Sequence, residues 1–231
     1  MDKIFQKLKI LSFVYFIFFL PDISQSQSIK ITNSSFLGKT YNISIPRGYC
    51  DISKTRVGVF MLDHLLEVKK NAKGSLPEPK IIFAKCDYNI DELYPWGYIG
   101  FTNNNNNYSQ SVINNALLNI FDDTNIIKNL SDMTKKAIDK TVKDLYQEKF
   151  QSNTLLKPQI LFKNKSVIIF QSINSGILDG KIIKEVAVGS SSVFKSVIIN
   201  TYITNAVDKK PNSLTLAGEL IEHNKTLRDL N

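Results

Sequence analysis

The residues best suited to chemistry in this chain are its two cysteines, Cys50 and Cys86. The amino-terminal segment described below is predicted to direct the protein out of the cytoplasm, and in an oxidising space an even number of thiols favours a disulfide. We therefore predict a Cys50–Cys86 bridge, whose closed loop would stabilise the fold by about 3 to 4 kcal/mol. Two alternatives stay open: a pair of buried free thiols, and a nucleophilic Cys50 activated by His64.

Histidine occurs twice, at His64 and His223, and neither residue has a second histidine or a C-x-x-C pair at metal-ligand spacing. A zinc site would have to collect its ligands from distant segments. We predict no metal site. Both histidines are interpreted as partly exposed residues of helices.

Acidic residues form two small groups, Asp87 with Asp91 and Glu92, and Asp122 with Asp123. A pair of carboxylates can act as acid and base, but neither group has the order of a calcium-binding loop. The second group precedes a predicted helix, where the helix dipole favours negative charge. The chain also lacks a phosphate-binding glycine loop and a G-x-S-x-G elbow, so we predict no catalytic residue and no cofactor.

Aromatic residues are concentrated between positions 94 and 101. Tyr94, Trp96 and Tyr98 alternate along a predicted strand, so their side chains share one face. Such a face stacks on a sugar ring or anchors a partner when it is exposed, and it belongs to the core when it is turned inward. We predict a binding patch at these three residues and keep the core as its alternative.

The first twenty-six residues have the order of an export signal. A head with Lys3, Lys7 and Lys9 precedes an apolar run from Ile10 to Leu20, and small polar residues follow. This run of 11 residues is too short to remain as a membrane span. We predict a signal peptide over residues 1–26, cleaved after Ser26, and a single domain over residues 27–231 in the periplasm or outside the cell.

The net charge of the chain is +8, and removal of the signal segment would leave +7. The lysines are scattered, with the densest pairs far apart in the sequence, which is typical of a solvated surface. We expect no nucleic-acid partner, although adhesion to an anionic surface remains an alternative.

The elements that position these residues begin with a predicted hairpin, Ser28–Thr32 with Tyr41–Ile45, which turns at Gly38. A helix follows from the cap Thr55 to Lys70, and then two strands carry Cys86 and the aromatic residues. Ser109 is expected to cap the next helix, and a longer helix surrounds Leu130–Phe150.

The second half begins with a predicted hairpin of Leu155–Phe162 with Val167–Ile173. Strands over Ile182–Val188 and Val193–Thr204 extend it, with Gly189–Ser192 as the turn between them. A terminal helix opens at Pro211–Ser213. Strands and helices do not alternate regularly, so we predict an α+β fold, with an antiparallel sheet of about six strands packed against the early and the final helix.

The segment Thr40–Cys50, T-Y-N-I-S-I-P-R-G-Y-C, resembles uncharacterised exported bacterial proteins that share a strand-Pro-x-Gly-Tyr-Cys opening. The order of elements is similar to that of the PsbP type of α+β sandwich. This resemblance implies an accessory or binding protein, and it provides no catalytic residue.

From these observations we expect a non-enzymatic exported accessory or binding protein of the cell envelope. The alternatives are a secreted hydrolase-like enzyme that uses carboxylates, with Asp87, Asp91 or Asp122 near His64, and adhesion to anionic surfaces. The sequence does not identify the ligand, the envelope or extracellular partner, or the oligomeric state.

Overall fold

The computed structural model describes residues 30–72, 76–87, 94–146, 151–153, 158–178, 181–194, 196–207 and 209–231. The predicted signal segment, residues 1–26, lies outside the described residues, as do Asp91 and Glu92. Among the described residues, no helix combines the length and the apolar composition needed to cross a bilayer.

The chain begins with a separate two-stranded sheet, the hairpin of β1 and β2. Strand β1 is Ile31–Phe36 and strand β2 is Lys39–Ser44, paired from Ile31 opposite Ser44 to Phe36 opposite Lys39. The two turn residues, Leu37 and Gly38, have φ values of 51° and 72°. Two successive positive φ angles are those of a type I′ turn, which matches the right-handed twist of a hairpin.

The remaining strands form one antiparallel sheet of eight strands in the order β3-β4-β5-β10-β9-β8-β6, with β7 also paired to β8. Their bounds are Tyr49–Asp51 (β3), Glu78–Lys85 (β4), Trp96–Asn103 (β5), Gln151–Asn153 (β6), Gln159–Lys163 (β7), Ile168–Leu178 (β8), Lys181–Phe194 (β9) and Val197–Ala206 (β10). The α+β prediction is confirmed. The sheet is wider than the expected six or so strands because β3 and β6 have three residues each, too few to show a period of two.

Four helices are described; two of them begin after the predicted caps Thr55 and Ser109, and a third begins within the predicted opening Pro211–Ser213. Their bounds are Arg56–Asn71 (α1), Gln110–Asp122 (α2), Thr124–Tyr146 (α3) and Ser213–Leu230 (α4). The side chains of Thr55, Ser109 and Asn212 accept hydrogen bonds from backbone N–H groups of the first turn in α1, α2 and α4. Asp123 does the same for α3, accepting from Asn125 at 2.8 Å. Each cap satisfies a backbone donor that the helix itself leaves unpaired.

The large sheet is covered on both faces. Ile81 of β4 belongs to a core cluster with the hairpin and with Leu216, Leu220 and Leu227 of α4. Its neighbour Ile82 packs instead with Met61, Leu62 and Leu65 of α1. Because successive residues of a strand point to opposite faces, α4 and the hairpin lie on one side of the sheet and α1 lies on the other.

One prediction about the second half of the sheet is wrong. Gly189–Ser192 is not a turn but lies within β9, and the chain reverses after Phe194. The serine hydroxyls find partners in the packed fold: Ser192 donates to Asn224 of α4, Ser190 accepts from the same side chain, and Ser191 donates to Asn200 at 2.6 Å. Satisfied hydrogen bonds allow a polar run to be buried, which composition alone does not reveal.

Candidate functional site

Cys50 and Cys86 form a disulfide, with their α-carbons 4.8 Å apart. The pairing of β3 with β4 places Cys50 opposite Ala84, two residues before Cys86. Cys50 is half-buried and Cys86 is exposed, so the alternative of two buried free thiols does not apply. A nucleophilic Cys50 is excluded in this oxidised form. A disulfide of this kind is typical of proteins that work outside the cytoplasm.

The segment Pro46–Tyr49 makes a tight turn beside this disulfide. The backbone N–H of Tyr49 donates to the carbonyl of Pro46 at 3.1 Å, and Gly48 has a φ of 82°. These are the features of a type II turn, in which the third residue needs a positive φ and is therefore glycine. The N–H of Cys86 donates to the carbonyl of Gly48, which ties the turn to the end of β4.

A cavity of about 570 Å³ lies between this turn and helix α4. We call it the cleft, and we divide its lining into a loop wall and a helix wall. The loop wall consists of Lys30, Ile45, Pro46, Arg47, Gly48, Tyr49 and Cys86. The helix wall consists of Gly218, Glu219, Glu222, His223 and Thr226. A volume of this size is within the usual range for sites that bind small ligands.

His223 is the buried polar residue of the cleft, with 3% of its surface exposed. Its Nε2 lies 2.8 Å from the backbone carbonyl of Ser44, so this nitrogen carries the hydrogen and donates it. Burial lowers the pKa of His223 to about 4, and the ring is neutral at pH 7. The second nitrogen, Nδ1, is therefore a hydrogen-bond acceptor, and it is buried without a partner among the described residues.

Tyr49 and Glu219 connect the two walls. The Tyr49 hydroxyl donates to Oε2 of Glu219 at 2.9 Å, and the ammonium of Lys85 lies 3.5 Å from Oε1. The same ammonium lies 3.9 Å from the centre of the Tyr49 ring, a cation–π contact. Burial and the adjacent Glu219 carboxylate raise the pKa of Tyr49, so the phenol remains protonated and continues to donate.

Three further charged residues line the cleft. Arg47 at the corner of the turn and Glu222 on the helix are exposed, and neither forms an ion pair with another residue in the described part of the chain. The ammonium of Lys30 lies 2.6 Å from the Cys50 sulfur. The loop wall thus presents two cations, and the helix wall presents the carboxylates of Glu219 and Glu222.

Gly218 keeps part of the helix wall open. It lies inside α4, where glycine costs about 1 kcal/mol relative to alanine. A β-carbon at this position would meet nothing within 4 Å, so no packing contact requires a glycine here. Its missing side chain leaves space in the cleft.

The predicted aromatic patch lies elsewhere, at the start of β5. Tyr94, Trp96 and Tyr98 are each half-buried, and Trp96 and Tyr98 pack against the cluster formed with α1. The Tyr98 ring also stacks on Tyr202 of β10 at 4.8 Å between ring centres. As a binding surface the patch stays a prediction.

The predicted acidic residues are distributed over separate elements. Asp87 is exposed just after β4, Asp122 ends α2, and Asp123 caps α3. His64 is half-buried on α1. No group of three or more potential metal ligands occurs among the residues whose positions are described.

Sequence reasoning missed the cleft and misjudged His223, which is buried rather than partly exposed. The sequence does contain a pattern that indicates burial of His223. His223 follows Leu220 by three positions and precedes Leu227 by four, so it lies on the apolar stripe of α4. A titratable residue on such a stripe is buried with the stripe.

Comparison with solved structures finds chains that are similar to this one. No protein-family model matches the chain, and no curated protein matches it. The solution structure of cyanobacterial PsbP (CyanoP) from Synechocystis sp. PCC 6803 is similar to it, with 11% identity and a TM-score of 0.37. The match covers 91% of this chain and 96% of the cyanobacterial chain. The matched structure is a PsbP protein, the type that the sequence resemblance named.

Proposed function

We propose that this chain is an exported, non-enzymatic binding protein and that the cleft is its ligand site. The observation that carries this proposal is a cavity of about 570 Å³ whose lining includes the exposed charged side chains of Arg47 and Glu222, neither in an ion pair with another described residue. A ligand that pairs with these charges would form charge-assisted hydrogen bonds, which are stronger than those between neutral groups.

Two features support binding rather than acid–base chemistry by Glu219 and His223 of the cleft. Both oxygens of Glu219 are engaged, one by Tyr49 and one by Lys85, so this carboxylate is held as part of the wall. Nε2 of His223 is also engaged, by the carbonyl of Ser44. These groups are fixed by structural contacts, which suits recognition better than proton transfer.

Export is supported by the signal-like segment over residues 1–26 and by the Cys50–Cys86 disulfide. The disulfide also holds Cys86 in the loop wall of the cleft. In this proposal the bridge keeps the site in shape in an oxidising space.

The test is an NMR screen of a mixed library of polar fragments and short peptides against the isotope-labelled protein. We expect hits to shift resonances of the turn and of α4, and Gly218→Trp to remove those shifts because its indole fills the cleft. Asp229→Trp is the matched control, since Asp229 is exposed on the same helix and outside the cleft lining. Hits that bind equally well to both variants, or an absence of any hit in the cleft, would contradict the proposal.

A further inference from the structure

The two walls of the cleft differ in the hydrogen bonds that they offer. On the loop wall, the ammonium of Lys30 and the guanidinium of Arg47 can only donate. On the helix wall, the carboxylate of Glu222 can only accept. A ligand that satisfies both walls must therefore carry an anionic acceptor at one end and a cationic or N–H donor at the other.

We propose that the cleft binds a zwitterionic amino-acid or short-peptide ligand, with its carboxylate at Lys30 and Arg47 and its ammonium at Glu222. This assignment rests on the proposed function of the cleft as a ligand site. An ammonium has three N–H donors and forms a charge-assisted hydrogen bond with a carboxylate such as that of Glu222. A carboxylate accepts a bidentate pair of hydrogen bonds from a guanidinium, which makes Arg47 the stronger of its two partners.

The charges in the cleft favour a zwitterion over an ion of one sign. Glu219 is already neutralised by Lys85 at 3.5 Å, which leaves Glu222 as the carboxylate free to meet a cation. A purely anionic ligand would meet Glu222 with like charge. A purely cationic ligand would meet Lys30 and Arg47 with like charge. A molecule with both charges avoids each of these costs.

Trialanine, its N-acetyl form, its C-terminal amide and the doubly blocked peptide are suitable probes, with binding measured by calorimetry and NMR. We expect trialanine to bind in the cleft, and each blocking group to weaken it about tenfold, because each removes a charge-assisted hydrogen bond.

Two variants locate the ends of the ligand. Glu222→Gln should weaken trialanine about tenfold but make no difference to the N-acetyl peptide, and Arg47→Gln should do the same for the amide. Matched controls are Asp229→Asn and Lys225→Gln, both exposed on α4 and outside the cleft lining. They should leave all affinities unchanged.

The inference is overturned if the doubly blocked peptide binds as tightly as trialanine, or if trialanine leaves the cleft resonances unmoved. In either case fragments that still occupy the cleft in the mixed screen would keep the proposed function intact. If neither fragments nor peptides shift the cleft resonances, the proposed function fails as well.

Discussion

The hydroxyl of Tyr49 donates a hydrogen bond of 2.9 Å to the carboxylate of Glu219, and this contact joins β3 to the terminal helix. The two residues are 170 positions apart in the sequence. Lys85 completes the group by pairing with the carboxylate and lying over the tyrosine ring. The two walls of the cleft are therefore connected by a group of one phenol, one carboxylate and one ammonium from three elements.

Removal of the Tyr49 hydroxyl should weaken this connection. We expect Tyr49→Phe to lower the free energy of unfolding by about 2 kcal/mol, the usual contribution of a hydrogen bond to a charged group. Chemical denaturation with fluorescence detection measures it. Tyr41→Phe is the control, because Tyr41 is also buried but no hydrogen bond of its hydroxyl occurs in the described part of the chain. Equal losses in the two variants would contradict the role of the Tyr49–Glu219 contact.

The two helical glycines Gly58 and Gly218 should respond in opposite ways to alanine. Gly218→Ala is expected to raise the free energy of unfolding by about 1 kcal/mol, because the new β-carbon meets open space and helix propensity improves. Gly58→Ala should lower it by roughly 2 kcal/mol or more, since the β-carbon would lie 1.8 Å from the carbonyl oxygen of Ile52. Thermal unfolding of the two variants side by side measures both effects. A loss of stability in Gly218→Ala would show that this glycine is needed for packing.

The stability of the protein should fall between pH 6.5 and pH 4 because of His223. Burial lowers the pKa of this residue to about 4, whereas in the unfolded chain it remains near 6.5, so only the unfolded state takes up the proton in this range. The contribution is fully present above pH 6.5, and about 3 kcal/mol is lost by pH 4. Denaturation curves across this range should show that the free energy of unfolding of the native protein falls as the pH is lowered. Most of this pH dependence should be absent in His223→Gln.

His64 provides the comparison for that experiment. Burial lowers the pKa of His64 as well, which adds a loss in the same direction. His64→Gln should therefore retain the part of the pH dependence of the free energy of unfolding that is due to His223. An unchanged slope in His223→Gln would mean that this imidazole is protonated in the fold.

Reduction of the disulfide should destabilise the protein by about 4 kcal/mol, as the loop-entropy model gives for a sequence separation of 36. The Cys50→Ser, Cys86→Ser double variant should show the same loss without reductant. Melting temperatures with and without dithiothreitol, for both proteins, measure this. If dithiothreitol left the melting temperature of the native protein unchanged, this result would contradict a closed disulfide.

Trp96 is the only tryptophan and reports on the predicted aromatic patch. Because it packs against α1, we expect acrylamide to quench its fluorescence several times less than that of free tryptophan. Quenching as strong as that of the free amino acid would instead support an open aromatic surface at Tyr94, Trp96 and Tyr98.

Local features of the fold were predictable from the sequence. Thr55, Ser109 and Asn212 are at helix starts because a short polar side chain there accepts a backbone N–H, and this depends only on residues a few positions away. The hairpin turn at Gly38 was predictable for a similar reason, since it depends on a glycine that adopts a positive φ without strain. The disulfide followed from the compartment and from the count of two cysteines.

The cleft could not be predicted in this way. Its walls come from the turn at Gly48 and from a helix at the other end of the chain. No local sequence pattern indicates that these two segments lie next to each other. The strand position of the β9 serines could not be predicted for the same reason. Asn224, which pairs with Ser190 and Ser192, is far away in the sequence. Long-range hydrogen bonds decide where polar residues are buried.

The pairing of β5 with β10 in the middle of the large sheet has a consequence for the order of folding. Ile99 lies opposite Thr201, so this central pair closes a long loop and carries a high entropic cost. Strands β3, β4 and β5 and the Cys50–Cys86 bridge belong to the earlier part of the chain, and they can assemble and oxidise before β10 arrives. We therefore expect the sheet to be completed last at its centre, where the half that carries the disulfide pairs with the half that follows it in the sequence.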